Sequence, residues 1–455
     1  MTQHVPLSSP RERRKVVAAS VIGTTIEWYD FFIYAFAANL VLAKLFFEPA
    51  GESMMQILSL LTIGLSFLFR PLGAFLAGHF GDKLGRQPML VITLLLMGIA
   101  TVGIGLLPTY GAIGASAPVI LILLRILQGL SAGGEWGGAV LMSVEHAPGG
   151  KRGLYGIFPQ LGVPFGMLLA SAILALMRVV APGEAFEEWG WRAPFLFSVV
   201  LIVVGFVIRK TVDESPVFSE IKETRQQESA PIVQVFKLHL PLVVLSALLF
   251  AGNNAVGYML TGGYVQGLAS RPEADGGLGY DPVQVQLAVL TAAVVWAVFT
   301  FLSGPLSDRY GRKPIMNIGW IVQALGVIPL FQFVVNGGVS GVLLGSSLLA
   351  VGLGLTYGPA AVWFAETFPA SVRYSGISIS YALGGVIGGA FAPTIAQILL
   401  QSFGTTWAIV VYLLIMTAFG LLASVLLRDR SNIPLDLDFE RSGQWKSWTP
   451  SRVEA

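Results

Sequence analysis

The sequence predicts an all-α membrane protein, with twelve transmembrane helices forming two pseudo-symmetric bundles of six. Three observations predict it. Apolar runs of about 20 residues recur along the chain, long enough to cross a bilayer as helices and too long for barrel strands of ~10 residues. Charge is scarce, at 12% of 455 residues with mean hydropathy +0.72, where soluble domains carry roughly 25%. A charged phrase is also written twice. Gly78-His-Phe-Gly-Asp82-Lys-Leu-Gly85-Arg86-Gln-Pro88 returns 226 residues later as Gly304-Pro-Leu-Ser-Asp308-Arg-Tyr-Gly311-Arg312-Lys-Pro314. Both copies read G-x-x-x-D-x-x-G-R-x-P between apolar runs, the mark of an internal repeat.

The predicted spans run 16–46, 54–79, 88–107, 117–144, 153–180 and 191–210, then 239–267, 283–307, 313–335, 338–366, 373–401 and 405–427. The first follows a basic cluster, Arg11 to Lys15. It is too long for a signal-peptide core and lacks a small-residue cleavage site, so it reads as a retained span. The polar stretch 211–238, with Pro216 and Pro231, predicts a linker between an N-terminal bundle at 16–210 and a C-terminal bundle at 239–427. Short polar ends, 1–15 and 428–455, flank the bundles. Trp445 and Trp448 could rest at the membrane interface, with a disordered tail as the alternative. Of the 28 Lys and Arg, 22 fall on the side of the N-terminus; Lys44, Arg178, Arg192 and Arg271 fall on the other, and Arg70 and Arg125 lie inside spans. The positive-inside rule therefore predicts cytoplasmic termini.

A second phrase repeats. Glu145-His-Ala-Pro148-Gly-Gly-Lys-Arg152 matches Glu366-Thr-Phe-Pro369-Ala-Ser-Val-Arg373 as E-x-x-P-x-x-x-R, 221 residues apart. The chain has no cysteine, which excludes thiol catalysis and disulfides, and its four histidines show no metal-ligand spacing.

The paired loops resemble the signature of the major facilitator superfamily, and the likeness covers the whole membrane region. Gly23-Thr-Thr-Ile-Glu27-Trp28-Tyr29-Asp30, Arg70-Pro71-Leu-Gly73, Arg125-Ile-Leu-Gln128-Gly129, Gly133-Gly134-Glu135-Trp136-Gly137-Gly138 and Trp189-Gly-Trp191-Arg192-Ala-Pro194-Phe195 are similar to the bacterial metabolite:proton symporters. That resemblance implies a secondary transporter in a bacterial inner membrane. It implies a small-molecule substrate, organic acids or proline and betaine, with the proton as coupling ion. The tail lacks the heptads of osmosensing proline/betaine members. No enzyme motif, cofactor or nucleic-acid partner is expected, and the chain is expected to act as a monomer in lipid. An exporter on the same fold is an alternative, and a sensor that moves nothing a remote one.

An ionisable group in mid-membrane costs at least ~2.5–3.5 kcal/mol, so each needs a partner or a function. Glu27, Asp30, Arg70, Arg125 and Glu135 stand out, all in the first half. Glu27 and Asp30 share a helical face at i, i+3, where two close carboxylates cannot both ionise cheaply. They and Glu135 are the candidates for proton coupling. Arg70 and Arg125 are candidates for binding an anionic substrate. The structural alternative is complete internal pairing of three acids with two bases. Tyr29, Gln128, Trp136, Gln160, Asn253, Asn254, Tyr258, Tyr357 and Tyr381 are candidates for shaping a substrate cavity, although most such residues serve packing. Asp82 and Asp308 can pair with a neighbouring helix start or with Arg86 and Arg312 to latch one side. Glu145, Arg152, Glu366 and Arg373 can add to that latch. The resemblance implies that these loops, with Gly78, Gly85 and Gly311, form an inner gate. The glycines of span 4 read as a small-residue packing face.

Overall fold

The computed structural model describes residues 9–212, 214, 218, 231–261, 263–271, 273, 277–443 and 445. Among them every regular element is helical, and twelve helices are long and apolar enough to cross a membrane. We number these α1 (Pro10–Ala37), α2 (Leu61–Leu84), α3 (Arg86–Leu106), α4 (Ser116–Glu145), α5 (Arg152–Leu174) and α6 (Phe186–Lys210). The second half holds α7 (Leu240–Ser270), α8 (Pro282–Tyr310), α9 (Arg312–Asn336), α10 (Gly338–Thr367), α11 (Ala370–Phe403) and α12 (Trp407–Leu426).

Helix α1 starts at Pro10, six residues before the predicted span. Ser9 is its N-cap, with Oγ accepting the Glu12 N–H at 3.1 Å, and Pro10 occupies the first turn, where its missing N–H is no loss. The basic cluster Arg11 to Lys15 therefore belongs to the helix. Helix α5 is interrupted at Leu161, between Pro159 and Pro164, and α11 passes through a π-helical turn at Gly385–Ala390.

Corresponding helices pack alike in the two halves. Helix α2 packs on α4 as α8 does on α10, and α1 packs on α5 as α7 does on α11. Two contacts dominate between the halves, α2 with α11 and α5 with α8. Small residues set the α2–α4 crossing: a Cβ on Gly129 would fall 2.2 Å from the Ser66 carbonyl oxygen, and one on Gly133 2.2 Å from that of Arg70. That close approach places Arg70 and Arg125 within the first bundle rather than at its rim.

The linker residues 213, 215–217 and 219–230, the first eight residues and most of the tail's end, Trp448 included, lie outside the described residues. Trp445 is described and packs against the second half. Its ring takes the Arg430 guanidinium at 4.8 Å and meets the His239 ring at 5.2 Å.

Gly133→Leu should force α2 and α4 apart. We expect a loss of at least about 2 kcal/mol, as for overpacked cores, seen as a lower melting temperature in detergent.

Candidate functional site

Away from the helix-end loops, the buried charges of the first half lie on α1, α2, α4 and α6. Asp30 is fully buried and accepts a hydrogen bond from Ser198 Oγ of α6 at 2.7 Å, with Thr101 of α3 beside it. Its second oxygen has no hydrogen-bond partner. Glu27, one turn earlier, is also buried, and neither carboxylate oxygen has a partner. It lies in electrostatic range of Arg70 and Arg209. The shared face predicted for the two acids thus divides, with Asp30 turned to α3 and α6 and Glu27 toward α2 and the end of α6.

Arg70 makes no ion pair among the described residues. Its guanidinium stands 4.2 Å from the centre of the Phe67 ring and 5.9 Å from those of Trp28 and Phe31, a cation–π cage. Arg125 differs. Nη1 donates to Gln128 Oε1 (2.5 Å), Nη2 to Ser66 Oγ (2.9 Å) and Nε to the Thr62 carbonyl (3.2 Å), over the Tyr34 ring. Gln128 in turn donates to Thr101 Oγ1 at 2.8 Å. A neutral group accepts from each of the three side-chain nitrogens of Arg125, which makes it a clamp between α2 and α4.

Glu135 is held by a base absent from the predicted set. Both terminal nitrogens of Arg209 donate to it, Nη1 at 3.1 Å to Oε2, where Thr93 Oγ1 also donates at 2.7 Å. Arg209 stands at the end of α6 and reads in sequence as one more inner-side cation, but its side chain is only 3% exposed. The signal that could have found it is Gly23: a Cβ there would fall 2.2 Å from Arg209 Nη2. The internal pairing considered for Arg70 and Arg125 does not form.

The two halves meet at an aromatic layer about 13 Å along α4 from Glu145, nine residues at 1.5 Å each. Trp136 stacks on Tyr381 at 4.0 Å and donates from Nε1 to Gln160 Oε1 at 2.7 Å. Gln160 Nε2 donates on to the Tyr357 carbonyl of the second half at 2.8 Å. Tyr258 meets Phe67 edge-on at 5.3 Å, beside the Arg70 cage. Other candidates face elsewhere. The Tyr29 hydroxyl donates to the Pro194 carbonyl (2.7 Å), pinning α1 to α6. Asn253 Nδ2 donates to Thr356 Oγ1 (2.7 Å) inside the second bundle, while Asn254 is half-buried.

The repeated phrases lie at the ends of α2 and α8, and each glycine and aspartate in them has a physical reason. Gly85 (φ +118°) and Gly311 (φ +93°) turn the chain through the left-handed region between consecutive helices. Gly78 and Gly304 let the halves touch: their Cβ atoms would lie 2.8 Å from Ser375 Cα and 2.7 Å from the Gly153 carbonyl. The aspartates cap helices of the opposite half. Asp82 accepts the N–H groups of Tyr374 (3.3 Å) and Ser375 (3.0 Å) and the Ser375 hydroxyl (2.6 Å). Asp308 accepts those of Gly153 (2.6 Å) and Leu154 (2.9 Å). These donors are the second and third residues of helices beginning at Arg373 and Arg152. The cap residues proper, Val372 and Lys151, carry no side-chain acceptor, so the foreign aspartate does the work of an N-cap.

Buried ion pairs surround each cap. Arg373 reaches Glu145 across the halves at 3.2 Å, and Arg86 lies 3.7 Å from the same carboxylate. In the second copy Arg312 holds Glu366 at 3.0 Å and Asp308 at 2.8 Å, with Arg152 of the other half at 3.8 Å. The tail lies over both clusters: Arg152 donates to the Ile433 carbonyl, and Arg373 to that of Leu435 at 3.0 Å.

Comparison with known proteins fits this geometry. Residues 15–237 match the family model described as Sugar (and other) transporter, and residues 272–453 match Major Facilitator Superfamily. The inner membrane metabolite transport protein YhjE of Escherichia coli (strain K12) is 39% identical over 93% of this chain and 95% of that protein. The chain belongs to the major facilitator superfamily. The shikimate transporter of Escherichia coli (strain K12) is 33% identical over 93% of this chain and 96% of its own. The proton:xylose symporter XylE, solved with 6-bromo-6-deoxy-D-glucose, shares the fold with a TM-score of 0.78 at 19% identity, covering 95% of this chain and 99% of that one. As a superfamily member the protein is a multi-pass transporter of metabolites, not an enzyme.

In this superfamily member Glu145→Gln leaves Arg86 and Arg373 buried beside a neutral amide. Breaking one side of a buried pair costs about 3–5 kcal/mol, so we expect a clear drop in melting temperature. Arg441→Ala, at an exposed pair with Asp438, should leave it unchanged within error.

Proposed function

We propose that the protein is a proton-coupled symporter that imports a small organic acid by alternating access. The observation that carries this reading is a mismatch of charge in the first bundle. Arg70 is buried in an aromatic cage without a carboxylate partner, and Asp30 and Glu27 are buried with unpartnered oxygens. A buried charge without a partner is costly unless a ligand or a proton completes it. A carboxylate arriving at Arg70 meets a fixed fork of donors, and a proton on the Asp30–Glu27 pair removes the cost of two ionised acids. Glu135 is held by Arg209 and Thr93, which leaves Asp30 and Glu27 as the carriers. Arg125, with its donors satisfied, shapes the site instead of contacting the ligand.

The capped ends of α2 and α8 form the inner gate in this reading, facing the cytoplasm as the Lys and Arg bias requires. The protein sits in the bacterial inner membrane. The likeness to YhjE and to the shikimate transporter supports a transporter of metabolites, and the fold shared with XylE, a proton:xylose symporter, is compatible with proton coupling. One observation favours a second reading. Glu27 and Arg70 stand close enough to act on one another, and such a pair also suits a zwitterion.

Asp30→Asn should abolish accumulation driven by a pH gradient and keep counterflow exchange measurable in proteoliposomes. Accumulation that survives would remove Asp30 from the mechanism. Arg70→Gln should raise the KM for an acid at least about tenfold, the equivalent of 1.4 kcal/mol. A panel of carboxylates, shikimate-like acids and betaines decides the substrate class: better transport of betaines than of acids would favour the zwitterion.

A further inference from the structure

We propose that Arg209 is a positioning residue shared by two carboxylates. It holds Glu135 while Glu27 carries a proton, and turns to Glu27 when that proton leaves. The inference rests on the proton coupling proposed above.

Four observations carry it. Arg209 fills the space over Gly23, where a Cβ would fall 2.2 Å from its Nη2. Gly23 is one helical turn before Glu27 on the same face of α1, about 6 Å along the axis. Arg209 Nε is buried without a hydrogen-bond partner, and so are both oxygens of Glu27. An unused donor and two unused acceptors therefore lie in one buried region, which is rare in a settled core. Glu135 does not depend on Arg209 alone, because Thr93 Oγ1 donates to it at 2.7 Å. Finally, a cavity of about 20 Å³, bordered by Ser20, Gln87 and Leu90, lies against Arg209. That is room for one water beside the guanidinium.

Other charged and titratable groups face this region. Arg70 of α2, Asp30 of α1 and the tyrosines 258, 357 and 381 surround Glu27, and Tyr374 of α11 lies near Arg209. The step itself balances simply. The O–H bond of the Glu27 carboxyl breaks, its proton passes to water, and the electron pair stays on the carboxylate that Arg209 then meets. Arg209 keeps its own protons and charge throughout. As Arg209 turns, Glu135 keeps its bond from Thr93.

The test needs no substrate. In proteoliposomes the infrared carbonyl band of a protonated carboxyl is titrated with pH, and the part lost in Glu27→Gln is assigned to Glu27. Arg209→Gln removes a cation that favours the ionised form, so the midpoint should rise by at least about one pH unit, tenfold in proton affinity. Glu135→Gln frees Arg209 for Glu27, so the midpoint should fall by a similar amount. Charge alone also gives these opposite signs, so the turn is read at Glu135: its carboxylate stretch, assigned by its loss in Glu135→Gln, should shift with pH at the Glu27 midpoint as Arg209 leaves it, and would stay fixed in a merely structural pair. Arg209→Lys, which keeps the charge, should stay near the parent value and serves if Arg209→Gln does not fold. Midpoints that shift together, or not at all, would overturn the role of Arg209 and leave the coupling proposal standing. A Glu27 band that does not titrate would instead remove Glu27 from the coupling itself.

Discussion

A carboxylate from one half of the protein caps a helix of the other, and the closed side depends on that interaction. The first turn of any helix exposes N–H groups without partners and the positive end of its dipole. In water those groups find solvent. Between two packed bundles they need an acceptor, and Asp82 and Asp308 supply it at the second and third residues of the helices in α11 and α5. Each cap is worth roughly 0.3–1 kcal/mol at a surface and up to ~2 kcal/mol where partly buried. Two caps and their ion pairs therefore join the halves at this side. The glycines at 78 and 304 serve the same end, because a side chain at either would hold the bundles apart.

The halves agree at this latch and disagree at their centres. The second bundle pins its helices with neutral bonds such as Asn253 to Thr356 and Gln323 to Thr417. The first carries charges, and they form two kinds of site. Every side-chain nitrogen of Arg125 and both oxygens of Glu135 have partners, whereas the Glu27 oxygens, one oxygen of Asp30 and the Nε atoms of Arg70 and Arg209 do not. In the proposed reading this difference, rather than burial, separates residues that hold the bundle from those that meet a ligand or a proton. Trp136, Tyr381 and Gln160 lie between the two regions, in the aromatic layer that joins the halves.

Much of this was legible in the sequence for a simple reason. Spans, repeat and twelvefold count follow from run length and spacing, which are local or translational. The aspartates, with a helix start among their possible partners, were also readable, since a charge beside a glycine turn has few uses. What stayed hidden depends on where a side chain goes. Arg209 ends a span, where cations are expected anyway, and only its path back toward Gly23 makes it a core residue. Arg125 and Arg70 look alike as lone arginines in apolar runs; the partners that divide them come from Ser66 and Thr62 on a different helix and from the rings of Trp28, Phe31 and Phe67. Tyr29 reads as a cavity residue, yet its hydroxyl reaches a backbone carbonyl 165 positions away. The Arg430 guanidinium against the Trp445 ring is likewise not visible in the sequence.

The most direct test of the latch is a distance across it. The chain has no cysteine, so spin labels can be placed at the exposed Lys151→Cys and Arg309→Cys, one on each half. Pulsed electron paramagnetic resonance in proteoliposomes should give one short distance for this otherwise unaltered chain. Adding Asp82→Asn and Asp308→Asn together should bring in a longer population as the halves part. An unchanged single distance in that variant would contradict the claim that the paired aspartate caps hold this side closed.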